Sequence, residues 1–361
     1  MSERVLIGLS GGVDSSVAAV LLAEGGFEVI GVTLKLYDFD ELGFDPPDGG
    51  CCTLDLIDDA RAVCARMNIP HYVIDLKDSF RRNVIDDFVE SYARGRTPNP
   101  CINCNTYIKW GEMLRTADKL ECGFVATGHY ARVERSGGIP VLLKGMDKSR
   151  DQSYALWGIT REALKRTLLP LGAISKQKTR EIAGSYGLRN ANRPDSQEIC
   201  FVPRNDYGHI LREKLGEGSP ALQAGLIYDT AGNAVGRHKG IANYTIGQRR
   251  GLGISGAAPL YVTRINIGDG SIVVGSEDDL LAKKLKAYNL NLLANDIKSP
   301  CRIEAKIRYR HQPAAAELTI DGDRAVIIFD IPQRAITPGQ SVVFYDGERV
   351  LGGGVIDGVG D

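Results

Sequence analysis

No apolar run in this 361-residue chain approaches the roughly 20 residues of a membrane-spanning helix, which excludes a helical membrane anchor. The first residues, Met1-Ser2-Glu3-Arg4, lead straight into a strand pattern without an export signal, so a cytoplasmic location is the expectation. Eight cysteines in a chain this long, without such a signal, do not suggest a disulfide framework. They point instead to buried thiols, metal ligands or reactive groups. A formal net charge of −1 excludes a uniformly basic nucleic-acid binder. There is no internal repeat and no low-complexity tract. The G-x-x-x-x-G-K-[ST] loop of a Walker-type phosphate site is also missing. With 43% apolar and 25% charged residues the chain is of ordinary globular composition, long enough for two or three domains.

What is present begins at Val5-Leu6-Ile7-Gly8-Leu9-Ser10-Gly11-Gly12-Val13-Asp14-Ser15-Ser16. An apolar run, a serine and two glycines, then an alanine/leucine pattern at Val17 to Ala23, predict strand, tight turn and helix N-terminus. The glycines permit a sharp turn and close approach of a ligand. The helix N-terminus favours an anion, and Asp14 is placed to hold a magnesium ion beside a phosphate. The segment S-G-G-x-D-S resembles the PP-loop of the ATP pyrophosphatase superfamily, which implies ATP bound by its pyrophosphate end and AMP transferred to an acceptor oxygen.

Further along, strand patterns at Phe27 to Leu36, His71 to Leu76 and Phe124 to Tyr130 alternate with helical patterns at Asp55 to Met67, Phe80 to Arg94 and Ile108 to Leu120. That alternation predicts an α/β domain with a doubly wound parallel sheet, ligands lying at the strand C-termini. The prolines of Thr97-Pro98-Asn99-Pro100-Cys101-Ile102-Asn103-Cys104-Asn105 predict an exposed turn. A hairpin is expected around Gly137-Gly138. Beyond about residue 205 glycine-rich, short alternating runs predict a small central mixed domain, and from about 282 a C-terminal all-β barrel. The expected domains are therefore 1–205, 206–281 and 282–361.

Charge is uneven. Residues 1–100 carry 17 acidic and 9 basic side chains, whereas 161–193 carry 8 basic and only Glu162 and Glu181 acidic. Thr230 to Thr263 has no acidic residue but holds Arg237, Lys239, Arg249 and Arg250. Such local basic zones suit a phosphate backbone, and solvated helix faces and loops account for them equally well.

Asn99-Pro100-Cys101-x-x-Cys104-Asn105, Ser196-Gln197-Glu198-Ile199-Cys200, Ala126-Thr127-Gly128-His129-Tyr130, Asp151-Gln152-Ser153-Tyr154, Gly247-Gln248-Arg249-Arg250-Gly251-Leu252-Gly253 and Thr337-Pro338-Gly339-Gln340 follow the loop in one order. Together they resemble the tRNA-specific 2-thiouridylases of the MnmA type, from Val5 to about Val355. The resemblance implies ATP-dependent 2-thiolation of the wobble uridine, position 34, in tRNA. An adenylated uridine and a cysteine persulfide are the implied intermediates, with AMP and diphosphate released. It implies Cys104 as nucleophile and Cys200 as persulfide carrier, with a disulfide between them as part of the expectation, and Asp14 as a third catalytic residue. The implied ATP site is Gly8, Leu9, Ser10, Gly11, Gly12, Val13, Asp14, Ser15, Leu34 and Gly128, with Mg2+. The implied tRNA contacts are Asn99, Pro100, Cys101, His129, Arg150, Asp151, Gln152, Arg308, Tyr309 and Gln340. The implied partners are the anticodon loops of tRNAs for Lys, Glu and Gln and a sulfur-donor protein (a cysteine desulfurase or relay protein), acting on a monomer away from membranes.

Some members of the family carry Asp where this chain has Cys101. Here Cys101, Cys104 and Cys200 form a possible three-thiolate set, so an iron–sulfur cluster stands beside persulfide chemistry and a purely structural role. Cys64, Cys122 and Cys301 read as buried small hydrophobes, and Cys51-Cys52 takes no assignment. Three other functions compete. A PP-loop amidotransferase synthetase or a tRNA-lysidine-type ligase leaves the cysteine segments unexplained, and a non-enzymatic sulfur carrier or RNA-binding module leaves the Ser10 to Ser16 loop unexplained.

Overall fold

Val5, Leu6 and Ile7 are wholly buried in β1 (Arg4–Gly8), the middle strand of a parallel sheet. A strand covered on both faces reads as an uninterrupted apolar run, which is how its sequence reads. The computed structural model describes residues 3–44, 54–136, 138–191, 193, 199–203, 206–254 and 258–360. The Cys51-Cys52 pair, Gly137 and Asp195 to Glu198 lie outside the described residues. The chain forms two compact units, the first Met1–Val84, Cys101–Asn205 and Gly347–Leu351, the second Ile85–Pro100, Asp206–Asp346 and Gly352–Asp361.

In the first unit β1 is followed by β2 (Glu28–Lys35), β3 (His71–Asp75) and β4 (Phe124–Ala126). A hairpin of β5 (Ala131–Ser136) and β6 (Ile139–Lys144) precedes β7 (Thr167–Leu168). The sheet order is β3-β2-β1-β4-β7, every neighbouring pair parallel. The chain winds outward from β1 to β3 and then crosses to β4 on the other side. Loops leaving β1 and β4 therefore face each other across the switch point, the place where ligands bind in open sheets of this kind. Helix α1 (Val13–Glu24) has Val17, Ala18, Ala19 and Val20 without exposure. A helix apolar on all sides is a buried one. It packs in one core with Val5, Ile7, Val29, Ala126 and Leu171. Burying one such valine stabilises by about 1.5–3 kcal/mol. The next helix, α2 (Leu54–Arg66), is amphipathic.

Two expectations need correction here. The prolines do not keep 97–105 out of helix: helical structure starts at Pro100, as Pro100–Asn103, and continues through a wide π-type stretch, Cys104–Glu112, into Met113–Lys119. Proline is tolerated in the first turn because its missing N–H has no intrahelical partner there anyway. The strand expected over 124–130 ends at Ala126, and the residues beyond form the loop at the switch point.

In the second unit, Asp86–Ala93 is the last piece of a helical run that begins at Lys77. Its Tyr92 stacks on Tyr207, with centroids 5.3 Å apart, at the start of the helix Tyr207–Leu215. A four-stranded sheet of β8 (Gly225–Tyr228), β9 (Ala234–His238), β10 (Tyr261–Asn266) and β11 (Ser271–Gly275) has the order β10-β11-β8-β9. Six further strands follow: β12 (Leu281–Leu292), β13 (Cys301–Lys306), β14 (Ala314–Asp321), β15 (Arg324–Arg334), β16 (Ser341–Asp346) and β17 (Arg349–Val359). They run β12-β15-β14-β13-β16-β17, and pairing of β17 with β12 closes the barrel. Ala316 and Leu318 point inward beside Ile327 and Phe329, while Glu317 points outward, the period-2 pattern of a half-buried strand. Among the described residues no helix is long and apolar enough to cross a membrane.

Candidate active site

The loop after β1 is built to leave donors available. Leu9 N continues the strand by donating to Val32 O at 2.7 Å. At Gly11 the backbone turns to φ +73°, and a Cβ there would stand 2.5 Å from the carbonyl oxygen of Leu56 on α2, so only glycine fits. Gly12, the N-cap of α1, brings no capping side chain to the helix's first N–H groups. That end therefore carries the partial positive charge and the donors that an anion binds. The serines brace the loop: Ser15 Oγ accepts from Ser10 N at 3.2 Å, and Ser15 and Ser16 each donate to Gly12 O.

Gly128 comes from the other side of the switch point. A Cβ on it would lie 2.7 Å from both the carbonyl carbon of Asp14 and the amide nitrogen of Ser15. The loop after β4 thus rests directly on the first turn of α1, and Gly8 to Ser15 and Gly128 converge. Leu34 lies in β2 two residues past Val32, which pairs with Gly8.

Asp14 carries the site's electrostatics. Its carboxylate accepts from Lys176 Nζ at 2.7 and 2.8 Å and from the Tyr130 hydroxyl at 2.9 Å. Lys176 opens the helix Lys176–Ser185 and is only 7% exposed, so a nearly buried ammonium stands beside the phosphate-type loop. Asn190, 4% exposed, donates to Gly11 O at 2.8 Å and to Ser16 Oγ at 3.0 Å, fixing the loop from behind. Lys176, Tyr130 and Asn190 were not singled out from the sequence. The basic stretch 161–193 was the one signal that pointed to this helix.

His129 lies next to Gly128, its Nδ1 2.7 Å from Thr127 Oγ1 and its ring 5.7 Å from Trp110. Burial, and secondarily the positive Lys109, hold its pKa well below the ordinary value. At neutral pH it offers a neutral hydrogen-bonding ring, not a cation. Asp151 accepts from Gly145 N and Ser153 N, and its other oxygen from Ser153 Oγ. Gln152 bridges to Tyr130 N with its side chain. Both shape the turn that carries Arg150.

The thiols stand in different surroundings. Cys101 is exposed on Pro100–Asn103, while Cys104 is buried at the start of the wide helical stretch. Wide turns of this kind recur at functional sites. Cys200 is half-buried, its carbonyl accepting from the Tyr37 hydroxyl at 2.5 Å. Its neighbour Phe201 packs edge-on against Phe80, which anchors the segment in the core. Among the described residues no three His, Cys, Asp or Glu side chains are arranged to hold a metal ion. Burial raises the thiol pKa of Cys64 to about 11 and also raises those of Cys122 and Cys301, which disfavours the reactive thiolate; Cys64 and Cys122 are buried as expected, whereas Cys301 is only partly so.

The remaining expected contacts belong to the second unit. Arg308 donates to Ala335 O and to Thr337 Oγ1, and Tyr309 is exposed, with Lys306 Nζ 5.7 Å from its ring centre. Gln340 donates to Thr97 O and Pro98 O, immediately ahead of Asn99 and Pro100.

Three family models tile the chain: the tRNA methyl transferase HUP domain over residues 3–204, the tRNA methyl transferase PRC-barrel domain over 214–276 and the aminomethyltransferase beta-barrel domain over 282–356. A tRNA-specific 2-thiouridylase MnmA of Clostridium botulinum (strain Alaska E43 / Type E3) is 46% identical over 360 residues, covering 99% of this chain and 98% of that one. The protein of the same name from Clostridioides difficile (strain 630) is 46% identical over 361 residues, covering 99% of each. With a phosphate-type loop at the switch point, cysteines on two separate segments and this end-to-end likeness, the chain belongs to the tRNA-specific 2-thiouridylase family.

Proposed function

We propose that this protein uses ATP to replace the C2 oxygen of the wobble uridine, position 34, of tRNA with sulfur. The observation that carries the reading is Gly128 seated on the backbone of Asp14 and Ser15, which joins two loops into one cradle around an uncapped helix end. The triphosphate lies against the N–H groups after Gly11, and Lys176 supplies the cation that the loop itself lacks. Asp14 keeps that ammonium in place until phosphate oxygens arrive. One carboxylate beside phosphates is enough for Mg2+, which takes its remaining ligands from phosphate and water. Asp14 would hold it, and it would screen the charge of the departing diphosphate.

The uridine C2 oxygen attacks the α-phosphorus, diphosphate leaves, and the oxygen becomes part of a good leaving group. The outer sulfur of a Cys200 persulfide attacks C2 and AMP departs. The Cys104 thiolate then attacks the inner sulfur, the S–S bond breaks toward the nucleoside, and 2-thiouridine and a Cys104–Cys200 disulfide remain. Two electrons from a thiol reductant restore the pair, and a sulfur-donor protein reloads Cys200. Asn99, Pro100 and Cys101 meet the target base of an anticodon loop, which must be splayed out to be reached. Tyr309, Arg308 and Arg150 serve tRNA binding, and the protein works as a cytoplasmic monomer. A lysidine-type ligase needs neither Cys104 nor Cys200, and nothing observed favours it.

The test is nucleoside mass spectrometry of unmodified tRNA incubated with protein, ATP-magnesium and a sulfide or persulfide donor. Wild type is run beside Cys200→Ser, Cys104→Ser and Cys101→Ser. A 2-thiouridine peak lost in the first two and kept in the third is expected. Absence of that peak with wild type refutes the function, and its loss in Cys101→Ser refutes the assignment of roles among the thiols.

A further inference from the structure

Arg96, Thr97 and Pro98 stand directly before Asn99 and Pro100, and every one of them is gripped within the second unit. The Arg96 guanidinium pairs with Asp357 at 2.6 Å and lies 5.5 Å over the ring of Tyr288. Thr97 N donates to Pro338 O at 2.9 Å, and Thr97 Oγ1 meets Thr245 Oγ1 at 3.0 Å. Gln340 Nε2 donates to Thr97 O at 2.9 Å and to Pro98 O at 3.2 Å. A primary amide nitrogen has two hydrogens, and here both are used on this backbone. Gln340 keeps no donor for an RNA phosphate.

The gripping turn is itself rigid. Gly339 N donates to Ile356 O at 2.9 Å and Ile356 N to Gln340 O at 2.7 Å, which ties the Thr337 to Gln340 turn to β17 of the barrel. Gly339 has φ +90°, and a Cβ there would meet Thr97 N at 2.9 Å, so the turn lies flush against the strand it holds. Thr245 belongs to the segment that leads into Gly247 to Gly253, so the central domain also holds Thr97.

We propose that Gln340, with Arg96 and Thr97, is a positioning device: it fixes the backbone of residues 97–98 so that Asn99 and Pro100 present one geometry to the target base. This rests on the functional reading above, and it assigns Gln340 an action through the protein backbone in place of a direct contact to tRNA. Misplacement of a reacting group by about 1 Å lowers turnover by up to about 100-fold while leaving affinity from the rest of the interface.

The experiment compares wild type, Gln340→Glu and Thr97→Val in the full chain. It measures kcat and KM for tRNA in thiolation, tRNA affinity by fluorescence anisotropy, and hydrogen exchange of the peptide spanning Arg96 to Pro100. Gln340→Glu keeps the shape but removes the donors, and Thr97→Val removes one hydroxyl. Expected is a fall in kcat of about 10-fold or more in Gln340→Glu, tRNA affinity within about 3-fold of wild type, and faster exchange in that peptide. A loss of tRNA affinity with kcat unchanged overturns the proposal, because Gln340 is then an RNA contact. Unchanged exchange in both variants overturns it as well. If wild type makes no 2-thiouridine, the functional reading fails on its own, and the exchange data still decide whether the turn clamps residues 97–98.

Discussion

Gly128→Ala tests the cradle most directly. The added methyl would lie 2.7 Å from the Asp14 carbonyl carbon and the Ser15 nitrogen and 3.0 Å from the Asp14 oxygen. These are backbone atoms at the start of a buried helix, so no side-chain rotation relieves the clash. Restoring ordinary contact needs a separation of about 0.7 Å between the loop after β4 and the first turn of α1. Overpacking of this kind typically destabilises by about 1–3 kcal/mol. The displaced turn carries the N–H groups to which the proposed function assigns the phosphates, and a charge-assisted hydrogen bond is worth about 1.5–3 kcal/mol. Misaligning one of them weakens ATP binding by about 10- to 100-fold. Calorimetric titration with ATP-magnesium, alongside the melting temperature, reads both effects. Gly184→Ala serves as the control: its Cβ meets open space within the helix Lys176–Ser185, and it should stabilise by about 0.5–1 kcal/mol without changing ATP affinity. An ATP affinity for Gly128→Ala within twofold of wild type, in a folded protein, refutes the placement of the triphosphate between these two loops.

Two further outcomes follow from the site's charges. Lys176→Met removes the ammonium and leaves Asp14 beside the phosphate loop without its cation. ATP binding should fall by about 10-fold or more; unchanged binding in Lys176→Met would show that the pair is only structural. The second outcome concerns pH. Burial lowers the pKa of His129 far below its ordinary value, and those of His71, His238 and His311 to a lesser degree. A histidine with a lowered folded-state pKa takes up its proton more readily when unfolded, so its contribution to stability is present above about pH 6.5 and is lost as pH falls toward the folded-state value. The melting temperature should therefore decline between pH 7 and pH 5, and His129→Gln should flatten the decline; an equal slope in the variant would contradict the assignment of a neutral, desolvated ring.

The strand, turn and helix of residues 5–16 were legible in the sequence because all the parts are local: an apolar strand, two glycines and a helix start within twelve residues. Gly128 was legible as a residue at the ligand edge of the sheet, but nothing about one glycine at a strand end says which backbone it will touch. The Asp14–Lys176 pair was not legible, because 162 residues separate the partners and any lysine of the basic stretch reads alike. The helix at Pro100 was misjudged for a different reason. Proline forbids helix behind it but not after it, and whether a chain starts or stops at a proline is settled by what the next turn can bury. Here Ile102 and Cys104 go into the core while Cys101 stays exposed. The allegiance of residues 85–100 was hidden by the same limit. Its apolar periodicity is that of any amphipathic helix, and only Tyr92 stacking on Tyr207 and Arg96 pairing with Asp357 tie it to the second unit. The Asn99-Pro100 motif thus stands at the end of a segment held within the second unit, while Cys101 and Cys104 that follow belong to the first. A change in the Thr337 to Gln340 turn should therefore be read first as a change in how Asn99 is presented, and only then as a change in RNA affinity.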